Sequence, residues 1–442
     1  MTLSVAGWPF LPPEEGTPEQ EEDWWGECHL FSRADVTLRG VDRSVVVYGG
    51  PGSGKSVALR AFCRFGGKDW LVVRYPIERW PGEERAWVSK PEVGHLGQMM
   101  ACASMAVKDF LSGQPGGIED LTPIDLEYLR WLVEKYSGPR AFRRWANALG
   151  DDRLLGLLAQ PYEDLYPTDS ALQDVQGQIE ELVTLCRRLG FAKGVAFEVD
   201  VNAESLGGGE RLEKMKALFG WLTLWEFDGF ALRAAVPEGL LQQTGLKALI
   251  RDRATFVPLR WSVEECREMA ARALRAATNG QVETLSAILA GDLLAALETS
   301  IETLYGGPSP KGWVQLAAVA VREHARAGRL LEGKDADRLL RNYFATCVPL
   351  KLEPARRGVW RGPQFIELEE QPYRVFEVLW RNRKSNYFET ADALARVAGT
   401  PGNLHTLIRR LRQKIEPCPG KPVYICSSRN RGYWLENTAE TS

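Results

Sequence analysis

Residues 44–56, SVVVYGGPGSGKS, constrain this chain more than any other stretch. An apolar run of Val45, Val46, Val47 and Tyr48 meets Gly49, four further residues and then Gly54-Lys55-Ser56. That is the G-x-x-x-x-G-K-S spacing of a phosphate-binding loop. Each residue type has a mechanical reason. Gly49, Gly50, Gly52 and Gly54 allow positive φ, so successive amides turn inward around a polyphosphate with no Cβ in the way. Lys55 is placed to reach the β- and γ-phosphates, and the Ser56 hydroxyl to complete the shell of a Mg²⁺ ion. Residues 55–65 have helical spacing, with Val57, Leu59, Ala61 and Phe62 apolar, and the helix N-terminus points free amides at the same phosphates. The candidate ligand contacts are therefore Gly49, Gly50, Pro51, Gly52, Ser53, Gly54, Lys55, Ser56 and Val57.

A second landmark is GVAFEVD at 194–200, a buried parallel strand ending in an acid. An acid at that position holds a Mg²⁺-bound water beside the phosphate loop, which makes Asp200 the metal partner of Ser56. The residue after it is Val201, where a second carboxylate would orient an attacking water. Glu198 and Glu204 are the nearest substitutes, so the residues support nucleotide binding more than turnover. WLVVRY at 70–75, FALRAAV at 230–236 and TFVPL at 255–259 read as further strands, giving an α/β fold with a parallel sheet. Arg251, Asp252 and Arg253 lie just before the last strand. Arg253 is placed to reach a γ-phosphate from its own or a neighbouring subunit, the alternative being a surface Arg–Asp pair. Between the second and third strands, 76–193 is too long for one crossover. Its apolar periods predict helices at 96–110, 123–136, 141–158 and 172–189, an inserted helical segment.

The rest of the chain divides by period and charge. Residues 1–40 are rich in Pro and Glu but carry Trp8, Phe10, Trp24, Trp25 and Phe31, which predicts a strap packed along the 41–260 domain. From Ser262, which with Glu265 forms a capping box, only helical patterns follow to 347, at 262–278, 282–305, 312–328 and 334–346. Lys311, in the break at 306–312, is either a lid contact to phosphate or a solvated lysine. The formal net charge is −3, yet residues 351–434 hold sixteen Lys and Arg against eight Asp and Glu. In 403–415 the apolar Leu404, Leu407, Ile408, Leu411 and Ile415 form one face, leaving His405, Thr406, Arg409, Arg410 and Arg412 for the other. With Arg429 and Arg431 in the following hairpin, this is the composition of a helix in a major groove and a wing on phosphate, so double-stranded DNA is the expected partner. The eight cysteines form no C-x-x-C pair and there are only four histidines, which argues against a disulfide framework or a zinc site. No apolar run is long enough for a bilayer and the N-terminus has no signal-peptide pattern, so the expectation is a soluble, cytoplasmic protein.

Two resemblances rest on these residues. GGPGSGKS, VAFEVD, the strand ending in Val236-Pro237 and Asp252-Arg253 together resemble an additional-strand P-loop ATPase of the STAND and origin-recognition-like AAA+ group. That resemblance implies sheet order 5-1-4-3-2, ATP with Mg²⁺ as the cofactors, and a helical lid at 261–347. LIRRLRQKIEP at 407–417 and PVYICSSRNRGYWL at 422–435 resemble the recognition helix and wing of response-regulator winged-helix domains of the OmpR/PhoB type, here at 348–437. The wing departs from that family's Arg-Gly-x-Gly-Tyr by placing Asn430 where the first glycine falls. Core, lid and winged helix in this order imply an ATP-dependent DNA-binding regulator. The same order serves signalling ATPases whose winged helix is an autoinhibitory clamp and whose output is homo-oligomerisation and recruitment of an effector protein. A third possibility is a nucleotide-binding scaffold without turnover.

Overall fold

The computed structural model describes residues 3–11, 15–66, 68–80, 91–159, 175–201, 209–383, 392, 394, 396, 404–428, 432–436 and 438. The chain forms two compact units. One comprises Phe31–Gly50 and Gly54–Leu259; the other comprises Met1–Leu30, Pro51–Ser53 and Arg260–Ser442.

The first unit is built on a five-stranded sheet: β1 (Val45–Gly49), β2 (Trp70–Arg74), β3 (Gly194–Asp200), β4 (Phe230–Pro237) and β5 (Thr255–Pro258). Its order is β2-β3-β4-β1-β5, all parallel, which is the expected 5-1-4-3-2 read from the other edge. Parallel strands covered on both faces need continuous apolar runs, and β3 and β4 are buried nearly end to end. Preceding the sheet is α2 (Arg33–Gly40), started by a reciprocal Ser32–Asp35 capping box; a first, short helix is α1 (Pro18–Asp23). The turn between α2 and β1 is held from inside the sheet. Arg233 on β4, fully buried, donates to the carbonyls of Leu38 (2.9 Å), Val41 (2.6 Å) and Arg43 (2.8 Å) and stacks over Phe62 and Trp70.

After α3 (Lys55–Gly66) and β2, the insertion supplies α4 (Pro91–Gly113), α5 (Pro123–Ser137), α6 (Pro139–Leu149), α7 (Asp152–Leu158) and α8 (Val175–Arg188). The single helix expected over 141–158 is two, because Gly150 takes φ 67° and Asp151 caps a new start by accepting from the Arg153 and Leu154 amides. These helices share one core with the sheet: Leu129, Phe142 and Leu182 belong to the same apolar cluster as Val195, Phe197 and Leu232. The unit continues with α9 (Gly209–Gly220), α10 (Glu238–Thr244) and α11 (Leu246–Ile250).

The second unit contains α12 (Val263–Ala277), α13 (Gly291–Tyr305), α14 (Pro310–Ala327) and α15 (Ala336–Cys347). Ser262 and Glu265 form the expected capping box at the start of α12. The helix expected over 282–305 is interrupted by a short 3-10 turn, Leu285–Ala287, and a bridge between Leu289 and Leu331. The first thirty residues belong to this unit, whereas the sequence suggested a strap on the sheet domain. Their aromatic residues find cover on α12: Trp25 and Cys28 are buried, the Ala6 amide donates to Ala277 O at 2.8 Å, and Arg272 donates to His29 O at 2.8 Å.

An antiparallel sheet follows, β6 (Leu350–Glu353), β7 (Gly358–Arg361) and β8 (Gln364–Glu367), with Gly362 at φ 54° in the two-residue turn. The run VWRGPQFIEL at 359–368 reads as a hairpin turning at Arg361-Gly362-Pro363, which β7 and β8 form; β6 carries no such signal. Then come α16 (Glu370–Arg381), α17 (Leu404–Ile415) and the hairpin β9 (Ile425–Ser428) with β10 (Gly432–Leu435). Asp392, Leu394 and Arg396 are helical. One apolar cluster runs from Cys266 to Leu435, so the segments expected as a lid and a separate winged helix share a core.

Candidate nucleotide site and basic helix

Beta-strand β1 ends at Gly49, and α3 begins at Lys55. Between them Gly52 (φ 67°) and Gly54 (φ 87°) adopt left-handed backbone, which turns the loop back on itself. Lys55 Nζ donates to Gly49 O (3.1 Å) and Gly50 O (2.9 Å), which closes the loop around its own ammonium. Burial lowers the Lys55 pKa, while the charges of Asp200 and Glu238 oppose that shift. Asp200 terminates β3. Its pKa is raised by burial, against which stand a hydrogen bond from Ser56 and the charges of Arg60 and Lys55.

These residues fit a Mg²⁺-triphosphate. Ser56 and Asp200 are already joined, a hydroxyl and a carboxylate of the hard-oxygen kind that magnesium selects. Among the described residues, a Cβ on Gly50 or Gly54 would meet nothing within 4 Å, so both lie beside open space, and Ser53 Oγ is buried without a hydrogen-bond partner. In this arrangement Lys55 and the loop amides would hold the phosphates, and Ser56 with Asp200 the metal. The ion's chemistry would be to neutralise charge on the terminal phosphates. Pro51 is exposed and Val57 half-buried in the first turn of α3.

The neighbouring carboxylates sort themselves by partner. Val201 is buried, its amide donating to Ala235 O at 2.8 Å, so no acid stands directly after Asp200. Glu198 accepts from Cys63 Sγ (3.1 Å) and pairs with Arg74 (3.3 Å); Glu204 lies outside the described residues. Glu238, which the sequence reading passed over, opens α10 directly after Pro237, and Pro237 is in register with Gly49. Its signal was an acid just beyond the end of a buried strand. Arg253 pairs with Glu226 at 2.7 Å, both half-exposed, and Arg251 Nε donates to Ala248 O at 3.3 Å.

Within the second unit the loop residues Pro51–Ser53 have partners of their own. Trp261 Nε1 donates to Ser53 O (2.7 Å), and Gly52 O accepts from Ser309 Oγ and from the main-chain amide of Lys311, both at 3.2 Å. Lys311, considered above for its side chain, thus contributes a backbone donor here.

On α17 the amphipathic split is as expected: Leu404, Leu407, Ile408, Leu411 and Ile415 are buried, while His405, Thr406, Arg409 and Arg410 are exposed. Arg412 behaves differently. Its guanidinium donates twice to Ile425 O (2.7 and 3.0 Å) and once to Ser427 Oγ (3.0 Å), fastening the helix to β9. Arg410 and Lys414 lie 3.9 and 3.5 Å from Glu369, and His405 Nδ1 is 3.1 Å from Tyr433 Oη. Buried Glu416, next after α17, accepts from the amides of Val423, Tyr424 and Ile425 at 2.6–3.1 Å. Arg429 and Arg431 lie outside the described residues. Among the described residues, no cluster of His, Cys, Asp and Glu could hold a metal by itself, and no helix is long and apolar enough to cross a membrane.

No protein-family model matches the chain. A stretch of 90 residues, 19% of the chain, is 33% identical to a Bacillus subtilis (strain 168) protein described as the uncharacterised transcriptional regulatory protein YrkP, and covers 38% of that protein. Among solved structures, the chain is similar to the ORC1 protein of Aeropyrum pernix in complex with DNA. That similarity covers 97% of this chain and 93% of that one, at 12% identity and a TM-score of 0.37.

Proposed function

We propose that this chain is an ATP-binding molecular switch that controls DNA binding through its C-terminal winged helix. The observation that carries the reading is the joining of Lys55, Ser56 and Asp200 at the carboxyl edge of a parallel sheet, in a chain that also presents His405, Thr406, Arg409 and Arg410 from one helix face. The description of the B. subtilis relative as a transcriptional regulatory protein supports the same reading. A ligand shifts a two-state equilibrium only through its different affinity for the two states, so ATP and ADP should leave the protein with different DNA affinities. The test is fluorescence anisotropy with a labelled duplex, titrated across salt with ATP, ADP or no nucleotide. The expected result is binding that weakens log-linearly with salt and differs between ATP and ADP. Absence of salt-dependent binding in every nucleotide state would remove the reading.

A second reading has its own observation. One apolar cluster joins 261–347 to the segment that follows, which supports a reading in which the winged helix acts as an internal clamp. Nucleotide exchange would then drive homo-oligomerisation and recruitment of an effector protein. Arg409→Ala with Arg410→Ala would in that case alter assembly, read by light scattering, and leave DNA binding untouched.

A further inference from the structure

Val201 raises a question that the sheet's own geometry answers. In parallel α/β sheets, ligands sit outside the carboxyl ends of the strands. At that edge of this sheet stand Gly49 on β1, Asp200 on β3 and, after β4, Glu238. Strand β4 lies between β3 and β1, and its last residue, Pro237, is level with Gly49, where the phosphate loop begins. Asp200 is two rows back, level with Ala235, and its carboxylate is engaged with Ser56. Glu198 is held by Cys63 and Arg74. Glu238 is half-buried in the first turn of α10, and its charge is one of the two that act on the Lys55 ammonium.

We propose that Glu238 is the carboxylate that orients and deprotonates the water attacking the terminal phosphate, the task left open by a valine after Asp200. This inference rests on the proposed ATP site. The water oxygen bonds to the terminal phosphorus as the bond from that phosphorus to the β,γ-bridging oxygen breaks, and the bridging electron pair stays on ADP. The water proton passes to Glu238, which returns it to solvent once inorganic phosphate leaves. A carboxylate at this edge suits the task because its ionised form accepts hydrogen bonds only, and so can hold the water by its O–H and take the proton.

The experiment uses the full chain and compares wild type with Glu238→Gln, Glu238→Asp, Glu204→Gln and Lys55→Ala. Binding of a fluorescent ATP analogue is measured alongside single-turnover conversion of ATP to ADP. The expected result is that E238Q binds the analogue as wild type does, yet converts ATP about 100-fold more slowly, the contribution typical of a positioned general base. E238D is expected to recover part of that loss, because the carboxylate returns on a shorter stem, and E204Q to turn over normally. Wild-type turnover in E238Q, or a loss confined to E204Q, overturns the inference while leaving ATP binding intact. A wild-type chain that binds the analogue without converting ATP overturns it as well. Failure of wild type to bind at all, equal to Lys55→Ala, sinks the ATP site and this inference with it.

Discussion

At the scale of single residues, two glycines of the phosphate loop are fixed for different reasons. Gly54 has φ 87° and open space around it, so Gly54→Ala costs only backbone strain, of order 1–3 kcal/mol. Gly52 has φ 67°, and a Cβ there would lie 2.4 Å from Ser309 Oγ and 2.8 Å from the Tyr305 ring, so Gly52→Ala adds a clash to the strain. Thermal denaturation without nucleotide should show stability lowered more by Gly52→Ala than by Gly54→Ala; the reverse order would contradict this account. His95 offers a pH test. Lys214 O can only accept, so Nε2 carries the proton, and Nδ1 then accepts from Tyr75 Oη at 2.8 Å: the neutral ring satisfies both partners. Burial accordingly lowers the His95 pKa to about 4. The unfolded chain binds this proton below about pH 6.5 and the folded one does not, so stability rises with pH across that window. Urea denaturation should therefore find about 3 kcal/mol lost between pH 7 and pH 4 from this group, and a shallower loss in His95→Gln.

Elements show which side chains fasten the structure and which are left facing outward. On α17, Arg409 is exposed while Arg412 bonds twice to Ile425 O, though both are arginines on the same basic helix. Arg409→Ala is expected to weaken duplex binding and reduce the salt slope by about 1 with an unchanged melting temperature. Arg412→Ala is expected to lower the melting temperature first. Glu416 belongs with Arg412: its carboxylate is the sole side chain satisfying three consecutive amides before and within β9 among the described residues. Its replacement by alanine leaves buried donors unpaired and should cost roughly 2–3 kcal/mol, visible as faster hydrogen exchange at 423–425. None of this was legible in LIRRLRQKIEP. Helical spacing separates inward from outward positions, but it does not say which outward cation a neighbouring hairpin will capture.

At the scale of the whole molecule, the division into two units follows cores rather than motifs. One apolar cluster joins the inserted helices to the parallel sheet, and the other runs from α12 to β10. Leu316, buried in α14, belongs to the second. Leu316→Ala should cost about 2–5 kcal/mol and raise hydrogen exchange in β9 and β10 as much as in α14. Exchange rising in α14 alone would mean that the helices and the segment from β6 to β10 hold separate cores. Sequence by itself determined the parts whose rules are local. The phosphate loop is a fixed spacing of glycines with Lys55 and Ser56, the strands are short apolar runs, and α12 and α17 announce themselves by a capping box and a 3.6-residue period. Tertiary structure decided what depends on residues far apart in the chain. It brought Glu238 to the edge where Gly49 begins the loop, buried Arg233 against three carbonyls, set Trp25 and His29 against α12, and merged two expected domains into one core. The physical reason is that a period or a motif reports on neighbours within a few residues. Which buried charge meets which partner is set by sheet register and by the cost of leaving a desolvated group unpaired, and neither quantity exists until the strands are side by side.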